Sequence, residues 1–223
     1  HETDYEAFDK MANWCKTNGD KRLVLNMSYG ANAGSHDTTD PEVAFIDEFI
    51  KKYDVVACIA AGNEADYDIV QRHTFTGAEN EVMKAAYYSD LDGDGEMDFS
   101  ELYNYFTVTN PEQQVEIDIV VYNSDTGKIK KTWKFVNASN PDGRKQTYSN
   151  TTFKGTVSIE SENIDNGMKG YLLTISDITL LANNCSLGYV VRGKAGQTVT
   201  SYLESISFFD LDVPECDKDM THD

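Results

Sequence analysis

One unbroken apolar run constrains the fold of this chain more than any other stretch. Residues 55–61 (Val-Val-Ala-Cys-Ile-Ala-Ala) carry no charged side chain, and Gly62, Asn63 and Glu64 follow them directly. A continuous apolar run with polar borders predicts a strand buried on both faces, as in a parallel sheet. Ligands of such sheets bind at the carboxyl ends of the strands, so Asn63 is a candidate site residue. The alternative is a simple turn, because Gly and Asn are both common turn residues.

Two amphipathic patterns and a second apolar run surround that strand with α/β structure. The first pattern predicts a helix that ends near Gly19, and residues 23–28 predict a short strand. Asp40 is expected to cap a second helix, with Pro41 at its first position. The predicted inner positions of the two helices are Tyr5, Phe8, Met11, Ala12 and Cys15 in the first, and Val43, Ile46, Phe49 and Ile50 in the second. The order strand, helix, strand predicts a βαβ unit with parallel neighbouring strands.

The second half of the chain predicts an all-β domain. Short alternating runs, separated by clusters of turn residues, give predicted strands at 115–122, 130–136, 156–159, 170–175, 187–192, 198–203 and 205–209. Many short strands with turn signals between them indicate a β-sandwich or jelly roll. We therefore expect a partial parallel α/β layer over residues 1–75 and a β-sandwich (jelly-roll) domain over 76–214. Residues 215–223 are expected to be a tail that leads back toward the first domain.

An acid-rich segment, residues 90–101, has the spacing of an EF-hand calcium loop. Its predicted ligands are the side chains of Asp90, Asp92, Asp94, Asp98 and Glu101 together with the backbone carbonyl of Glu96. Calcium prefers about six to eight oxygen ligands, and Gly95 permits the sharp turn that such a loop needs. Phe99, Leu102, Tyr103 and Phe106 fit a helix that leaves the loop, whereas residues 79–88 fit either a helix or a strand. We expect a structural calcium ion here, and a solvated acidic turn is the alternative.

Composition excludes some classes of function. The chain has 19 basic and 38 acidic residues and a net charge of −19, so it lacks the basic face that nucleic-acid binding requires. It contains no apolar run long enough to span a membrane and no basic-then-apolar leader. Because the first residue is His1, we expect an excised piece of a longer protein.

Cys15 and Cys58 are expected to be small core residues, and Cys185 could pair with Cys216, although spacing alone does not choose the connectivity.

Three consecutive segments match the pattern of a known family: residues 23–30 (Leu-Val-Leu-Asn-Met-Ser-Tyr-Gly), the following helix and residues 55–64. Together they resemble the middle of a subtilisin-like serine peptidase. In that family an Asn-x-Ser-x-Gly strand is followed, one helix later, by a strand that ends in Ala-Gly-Asn. Residues 34–37 (Gly-Ser-His-Asp) are also similar to a Gly-x-His-Asp-Gly loop of some bacterial members, with Thr38 in place of the last Gly. Some bacterial members carry a jelly-roll domain inserted after the Ala-Gly-Asn strand. The acid-rich segment, in turn, resembles the calcium loops of dockerin-like modules.

The resemblance implies roles for four residues. Asn63 would be the oxyanion-hole amide, whose side-chain N–H stabilises the negative charge of the tetrahedral intermediate. Ser28, Tyr29 and Gly30 would form the edge segment that pairs with the backbone of a peptide substrate. The family's Asp-Thr-Gly or Asp-Ser-Gly strand end, its His-Gly-Thr-His helix and its Gly-Thr-Ser helix are missing from these 223 residues. The triplet at 125–127 (Asp-Thr-Gly) lies out of family order and is expected to be a hairpin turn.

We therefore expect a fragment of a secreted or cell-surface bacterial endopeptidase that acts on peptides or proteins. The fragment lacks the catalytic triad, should be inactive alone, and has open sheet edges that favour association with the missing parts of the peptidase domain. His36, His73 and His222 have no neighbouring Ser arranged as a nucleophile elbow, so none is expected to be a general base. A non-catalytic calcium-binding β-sandwich that recognises carbohydrate or a protein partner is the alternative class. A pseudoenzyme that keeps the fold without the triad is a third.

Overall fold

A computed structural model describes residues 2–19, 21–28, 41–60, 69–88, 99–164, 167–204 and 220–221. The described residues up to 60 form one compact unit, and those from 69 onward form a second. The first unit contains helices and parallel strands, whereas the second consists of antiparallel strands. In the described part of the chain, no helix is long and apolar enough to cross a membrane.

The first unit has the predicted βαβ order. Its helices are α1 (Glu2–Thr17) and α2 (Pro41–Tyr53), and its strands are β1 (Val24–Met27) and β2 (Val56–Ile59). The two strands are parallel, with Val24 opposite Val56 and Met27 opposite Ile59. Proline at the first helical position has no N–H to leave unpaired, which explains why α2 starts at Pro41. The parallel pairing of the two strands is therefore confirmed.

A small aromatic core holds the first unit together. Phe49 of α2 packs against Phe8 of α1 and against Tyr53, with ring centroids 5.7 Å and 5.1 Å apart. Leu25 of β1 and Val55, which precedes β2, are buried in the same cluster. Both helices thus cover the face of the sheet on which Leu25 lies.

The prediction that the run from Val55 is buried on both faces is wrong for its described part. Val24 and its partner Val56 are 62 % and 57 % exposed. Cys58, which follows on the same face as Val56, is also exposed rather than part of the core. The reason is that α1 and α2 both pack on the opposite face, which leaves this side of the two-stranded sheet open. The predicted inner position Val43 on α2 is exposed as well. The side of α2 that packs in the cluster with Phe8 is the one that carries Phe49, and Val43 lies on another side of the helix.

The second unit consists of two antiparallel sheets in the described residues. Its strands are β3 (Val70–Thr74), β4 (Met83–Ala86), β5 (Leu102–Val108), β6 (Glu116–Asn123), β7 (Ile129–Val136), β8 (Lys145–Ser149), β9 (Phe153–Ile164), β10 (Met168–Leu181), β11 (Cys185–Arg192), β12 (Thr198–Glu204) and β13 (Met220–Thr221). One sheet has the order β13-β3-β12-β5-β10-β9-β8, and the other has the order β4-β11-β6-β7. Strand β3, which lies before the predicted domain boundary at residue 75, pairs with β12 in the larger sheet.

One hydrophobic cluster draws buried side chains from both sheets. Phe106 and Leu173 come from the seven-stranded sheet, and Ile119 and Tyr189 come from the four-stranded sheet. The predicted strands up to residue 203 overlap β6, β7, β9, β10, β11 and β12. The predicted strand at 205–209 lies outside the described residues, and the jelly-roll connectivity stays a prediction.

The predicted helix after the acid-rich segment is wrong. Leu102–Val108 is strand β5, and its Tyr, Phe, Thr and Val side chains favour an extended conformation. Leu102 and Phe106 point into the core cluster, and a strand brings them to one face as readily as a helix does. The entering side is strand β4. The described flanks of residues 90–101 are therefore strands and not the two helices of an EF-hand.

Cys185 is the described member of the pair of cysteines that the sequence suggests could be joined. Cys185 is a buried free thiol, and its sulfur accepts a hydrogen bond from Lys130 Nζ at 3.2 Å. Cys216 lies outside the described residues.

Candidate functional site

The carboxyl ends of β1 and β2 lie side by side. The backbone N–H of Ala60 donates to the carbonyl oxygen of Met27 at 2.9 Å, one step beyond the pair Met27 and Ile59. Ser28 and Ala60 therefore leave the sheet at the same edge. This edge is where parallel sheets bind their ligands, because the backbone and side chains beyond the strand ends are free to turn toward a ligand.

Ser28 is the predicted substrate-binding residue that the structure describes. Its side chain is exposed, and its hydroxyl oxygen lies 3.4 Å from Asn26 Nδ2, which donates to it. Tyr29, Gly30 and the predicted oxyanion donor Asn63 lie outside the described residues. The described part of this edge therefore consists of the two strand ends and the Asn26–Ser28 contact.

Glu101 is the predicted calcium ligand that falls within the described residues. Its Oε2 accepts a hydrogen bond from the Tyr103 hydroxyl at 3.0 Å. That hydrogen bond raises the pKa of Tyr103 above its ordinary value, because the phenolate would face a carboxylate. Carboxylate oxygens are among the ligands that calcium takes in proteins.

The other predicted calcium ligands, namely Asp90, Asp92, Asp94, Glu96 and Asp98, lie outside the described residues. Within the ranges that the structure describes, no group of three or more His, Cys, Asp or Glu side chains is placed to hold a metal ion.

Buried polar contacts tie the flanks of the acid-rich segment together. The Tyr87 hydroxyl donates to Asn104 Oδ1 at 2.9 Å, and Asn104 Nδ2 donates to Ser201 Oγ at 2.8 Å. Burial raises the pKa of Tyr87 well above its ordinary value, so its hydroxyl keeps its proton and acts as a donor. Sequence reasoning missed these residues, since polar contacts between distant strands leave no local pattern.

Glu81 is a second residue that sequence reasoning missed. Its carboxylate accepts hydrogen bonds from the backbone N–H groups of Thr76, Gly77 and Ala78 at 2.9 to 3.1 Å. Led by the bonds from the Thr76 backbone, this environment lowers the pKa of Glu81 to about 2. His73 Nε2 lies 3.1 Å from the same carboxylate. The arrangement fastens a loop, and His73 faces a carboxylate rather than a nucleophile.

The triplet at 125–127 forms the predicted hairpin turn. Gly127 donates its N–H to the carbonyl oxygen of Asn123 at 2.8 Å and has a φ of +66°, which favours glycine. Asp125 accepts a hydrogen bond from Asn184 Nδ2 at 3.0 Å. These contacts close the turn between β6 and β7, so Asp125 has the role of a turn residue.

The fold defined by these two units is related to that of subtilisin-like proteases. The solved structure of the CspB protease from Clostridium perfringens matches 87 % of this chain and 37 % of its own chain, with a TM-score of 0.61 at 16 % sequence identity. A stretch of 41 residues, 18 % of the chain, is 56 % identical to pyrolysin from Pyrococcus furiosus. That stretch covers 3 % of pyrolysin, so the chain corresponds to a small part of that relative. No protein-family model matches the chain.

Proposed function

We propose that this chain is part of a subtilisin-like serine endopeptidase, which cleaves peptide bonds by acyl transfer. The parallel pairing of β1 with β2 carries the proposal, because it brings Ser28 next to Ala60 at one sheet edge. The identity with pyrolysin and the fold shared with the clostridial protease support the same class of protein.

In this proposal Asn63 is the oxyanion donor. Three residues of chain span at most about 11 Å, so Asn63 stays close to Ala60 and hence to the edge where Ser28 lies. Its side-chain N–H would stabilise the negative charge that develops on the carbonyl oxygen of the scissile bond. Ser28, Tyr29 and Gly30 would pair with the backbone of the substrate as an added β-strand. The substrate is then a peptide or protein in an extended conformation.

The nucleophile and its base must come from elsewhere in the parent protein. The 223 residues contain neither the His-Gly-Thr-His nor the Gly-Thr-Ser motif, and their Asp-Thr-Gly triplet at 125–127 lies out of family order. Asp125 belongs to a hairpin turn, and His73 contacts Glu81. We therefore propose that this chain binds and orients substrate in the parent but does not cleave peptide bonds alone.

Labelling with a fluorophosphonate tests this division of roles, because the reagent reacts with an activated serine. The protein from the complete reading frame should be labelled, whereas the 223-residue chain and a heat-denatured control should not. Labelling of the native 223-residue chain in isolation would contradict the proposal. Failure to label the complete protein would favour a pseudoenzyme or the binding-module alternative.

We further propose that the second unit is a jelly-roll insertion stabilised by one calcium ion in residues 90–101. The ligands would be Asp90, Asp92, Asp94, Asp98 and Glu101 with the carbonyl of Glu96. The spacing of these residues along the chain supports calcium. Since β4 and β5 flank the segment, the ion would act as a structural clip between strands.

A further inference from the structure

The positive charge of this acidic chain is concentrated in one segment. Residues 128–154 contain seven of the 19 basic residues but one of the 38 acidic residues, Asp142. Asp142 is engaged within the protein, since Lys169 Nζ lies 2.7 Å from its carboxylate. The segment comprises β7, β8 and the start of β9. A net charge of −19 therefore conceals a basic region.

The two complete strands of this segment lie on the same side of the second unit. β7 is the last strand of the four-stranded sheet, and β8 is the last strand of the seven-stranded sheet. The Trp133 ring of β7 packs against the Tyr148 ring of β8, with centroids 4.5 Å apart. We call these two strands the basic edge, and their exposed lysines are Lys130, Lys131, Lys134 and Lys145.

Three lysines of the basic edge have no anionic partner in the described part of the chain. Lys131, Lys134 and Lys145 take part in none of the ion pairs found there. Lys10 of α1 and Lys51 of α2, by contrast, pair with carboxylates of their own helices. Uncompensated charges of one sign on a surface attract ligands of the opposite sign. The basic edge is therefore suited to an anionic partner.

β8 offers backbone hydrogen bonds to a further strand. It pairs with β9 in an unbroken register, and the Arg144 carbonyl directly before it accepts the Ile159 N–H of β9 at 2.9 Å. Hydrogen-bonded and non-hydrogen-bonded pairs alternate along antiparallel strands, so the backbone groups of Lys145, Thr147 and Ser149 face away from β9. Among the described strands, none pairs with β8 on that side.

β7 is a poorer template than β8, but its lysines can select a partner. Its register with β6 shifts at two places, and such irregularities interrupt the row of backbone groups along an edge. Lysine on an edge strand opposes pairing with a second copy of the same edge, because like charges then meet. An acidic strand is attracted by the same side chains. The lysines therefore discriminate between partners by the sign of their charge.

We propose that the basic edge binds an extended polypeptide segment rich in Asp and Glu, which adds to β8 as a further strand of the larger sheet. The backbone of the segment hydrogen-bonds to Lys145, Thr147 and Ser149, which gives affinity. The lysines attract its carboxylates, which gives specificity. The open backbone of β8 favours a polypeptide over other polyanions, because a nucleic acid or a polyphosphate has no peptide groups to pair with it.

Fluorescence anisotropy tests the proposal, with the 223-residue chain and a short labelled peptide in which Glu and Thr alternate. The wild type should bind this peptide, and added salt should weaken binding. Lys131→Gln/Lys145→Gln should weaken binding about fivefold or more, the combined effect of two exposed ion pairs. The matched control is Lys10→Gln/Lys51→Gln, which removes the same charge from exposed positions of the two helices and should bind as the wild type does.

Three results would overturn the proposal. The first is no binding of the acidic peptide by the wild type. The second is an equal loss in the test and control variants, because net charge rather than the basic edge would then cause binding. The third is equal affinity for inorganic polyphosphate, or for the same peptide N-methylated on its central residues, because neither can pair with β8 as a strand.

Hydrogen exchange on the wild type locates the added strand without any variant. The acidic peptide should slow exchange of the amides of Lys145, Thr147 and Ser149, which face the open side of β8. The Tyr148 amide faces β9 and should change little. The N-methylated peptide should protect none of these amides. Unchanged exchange at all three open-side positions would show that no strand is added to β8.

Discussion

Ala60 donates its backbone N–H to the Met27 carbonyl at 2.9 Å, and this bond joins the carboxyl ends of β2 and β1. It continues the parallel register of the two strands beyond Ile59. Consequently Ser28 and the segment that leads to Asn63 start from adjacent points on the same sheet edge. The proposed substrate strand and the proposed oxyanion donor thus share one scaffold, which is what acyl transfer to a bound peptide requires.

The Glu81 carboxylate should make stability depend on pH. Because folding lowers the pKa of Glu81 from 4.5 to about 2, its contribution is fully present above pH 4.5 and is lost as the pH falls through about 2. We expect Glu81→Gln to lower the melting temperature at pH 7, and the difference from the wild type to shrink as the pH approaches 2. Glu79→Gln, at a neighbouring exposed position, is the control. A difference between Glu81→Gln and the wild type that is independent of pH would refute this role.

Gly170 leaves the space that Tyr105 occupies on the outer face of the larger sheet. A Cβ at this position would lie 2.2 Å from the Tyr105 hydroxyl oxygen, whose hydrogen is donated to Glu162. We expect Gly170→Ala to reduce the free energy of unfolding by about 1–3 kcal/mol, the usual cost of overpacking. Urea denaturation gives this value. In a Tyr105→Leu background the same substitution should cost much less, and an equal cost in both backgrounds would exclude the proposed clash.

The open face of the two-stranded sheet should promote association. Val24 and Val56 are paired, apolar and more than half exposed, whereas parallel sheets are ordinarily covered on both faces. We expect the double variant Val24→Ser/Val56→Ser to reduce concentration-dependent association in light scattering while changing stability by no more than about 0.5 kcal/mol. Ile129→Ser, at an exposed apolar position of β7, should leave association unchanged. A wild type that stays monomeric at all concentrations would contradict this prediction.

Calcium should raise the melting temperature of the chain. An ion at about 100 times its dissociation constant adds about 2.7 kcal/mol to the free energy of unfolding. Glu101→Gln should reduce the shift between calcium and chelator, whereas Glu160→Gln, at an exposed position of β9, should retain it. If the wild type melts at the same temperature under both conditions, residues 90–101 hold no stabilising calcium.

Local patterns in the sequence predicted those elements whose causes are local. Pro41 starts α2, Gly127 closes a hairpin turn with a positive φ, and the alternating run at 115–122 overlaps strand β6. Each depends on residues within a few positions of one another, so the chain alone contains the information. The βαβ order followed in the same way from two apolar runs around a helix.

The wrong predictions depended on partners distant in sequence or on ambiguous spacing. Apolar residues at 102 and 106 fit a helix and a strand equally, and only the aromatic and β-branched residues between them favour β5. The exposure of Val56 depends on which face α1 and α2 cover, which a single run cannot encode. The contact of Tyr87 with Asn104 joins residues 17 positions apart on different sheets, so no local pattern marks it.

Peptide hydrolysis by the protein from the complete reading frame tests the proposal that Asn63 donates to the oxyanion in a subtilisin-like peptidase. Asn63→Ala should lower kcat by about 10²–10³, the known cost of removing such a donor from a subtilisin, with little change in KM. The control Asn163→Ala, at an exposed position of β9, should leave both constants unchanged. Wild-type kcat in Asn63→Ala, or an effect confined to KM, would show that Asn63 is not the oxyanion donor.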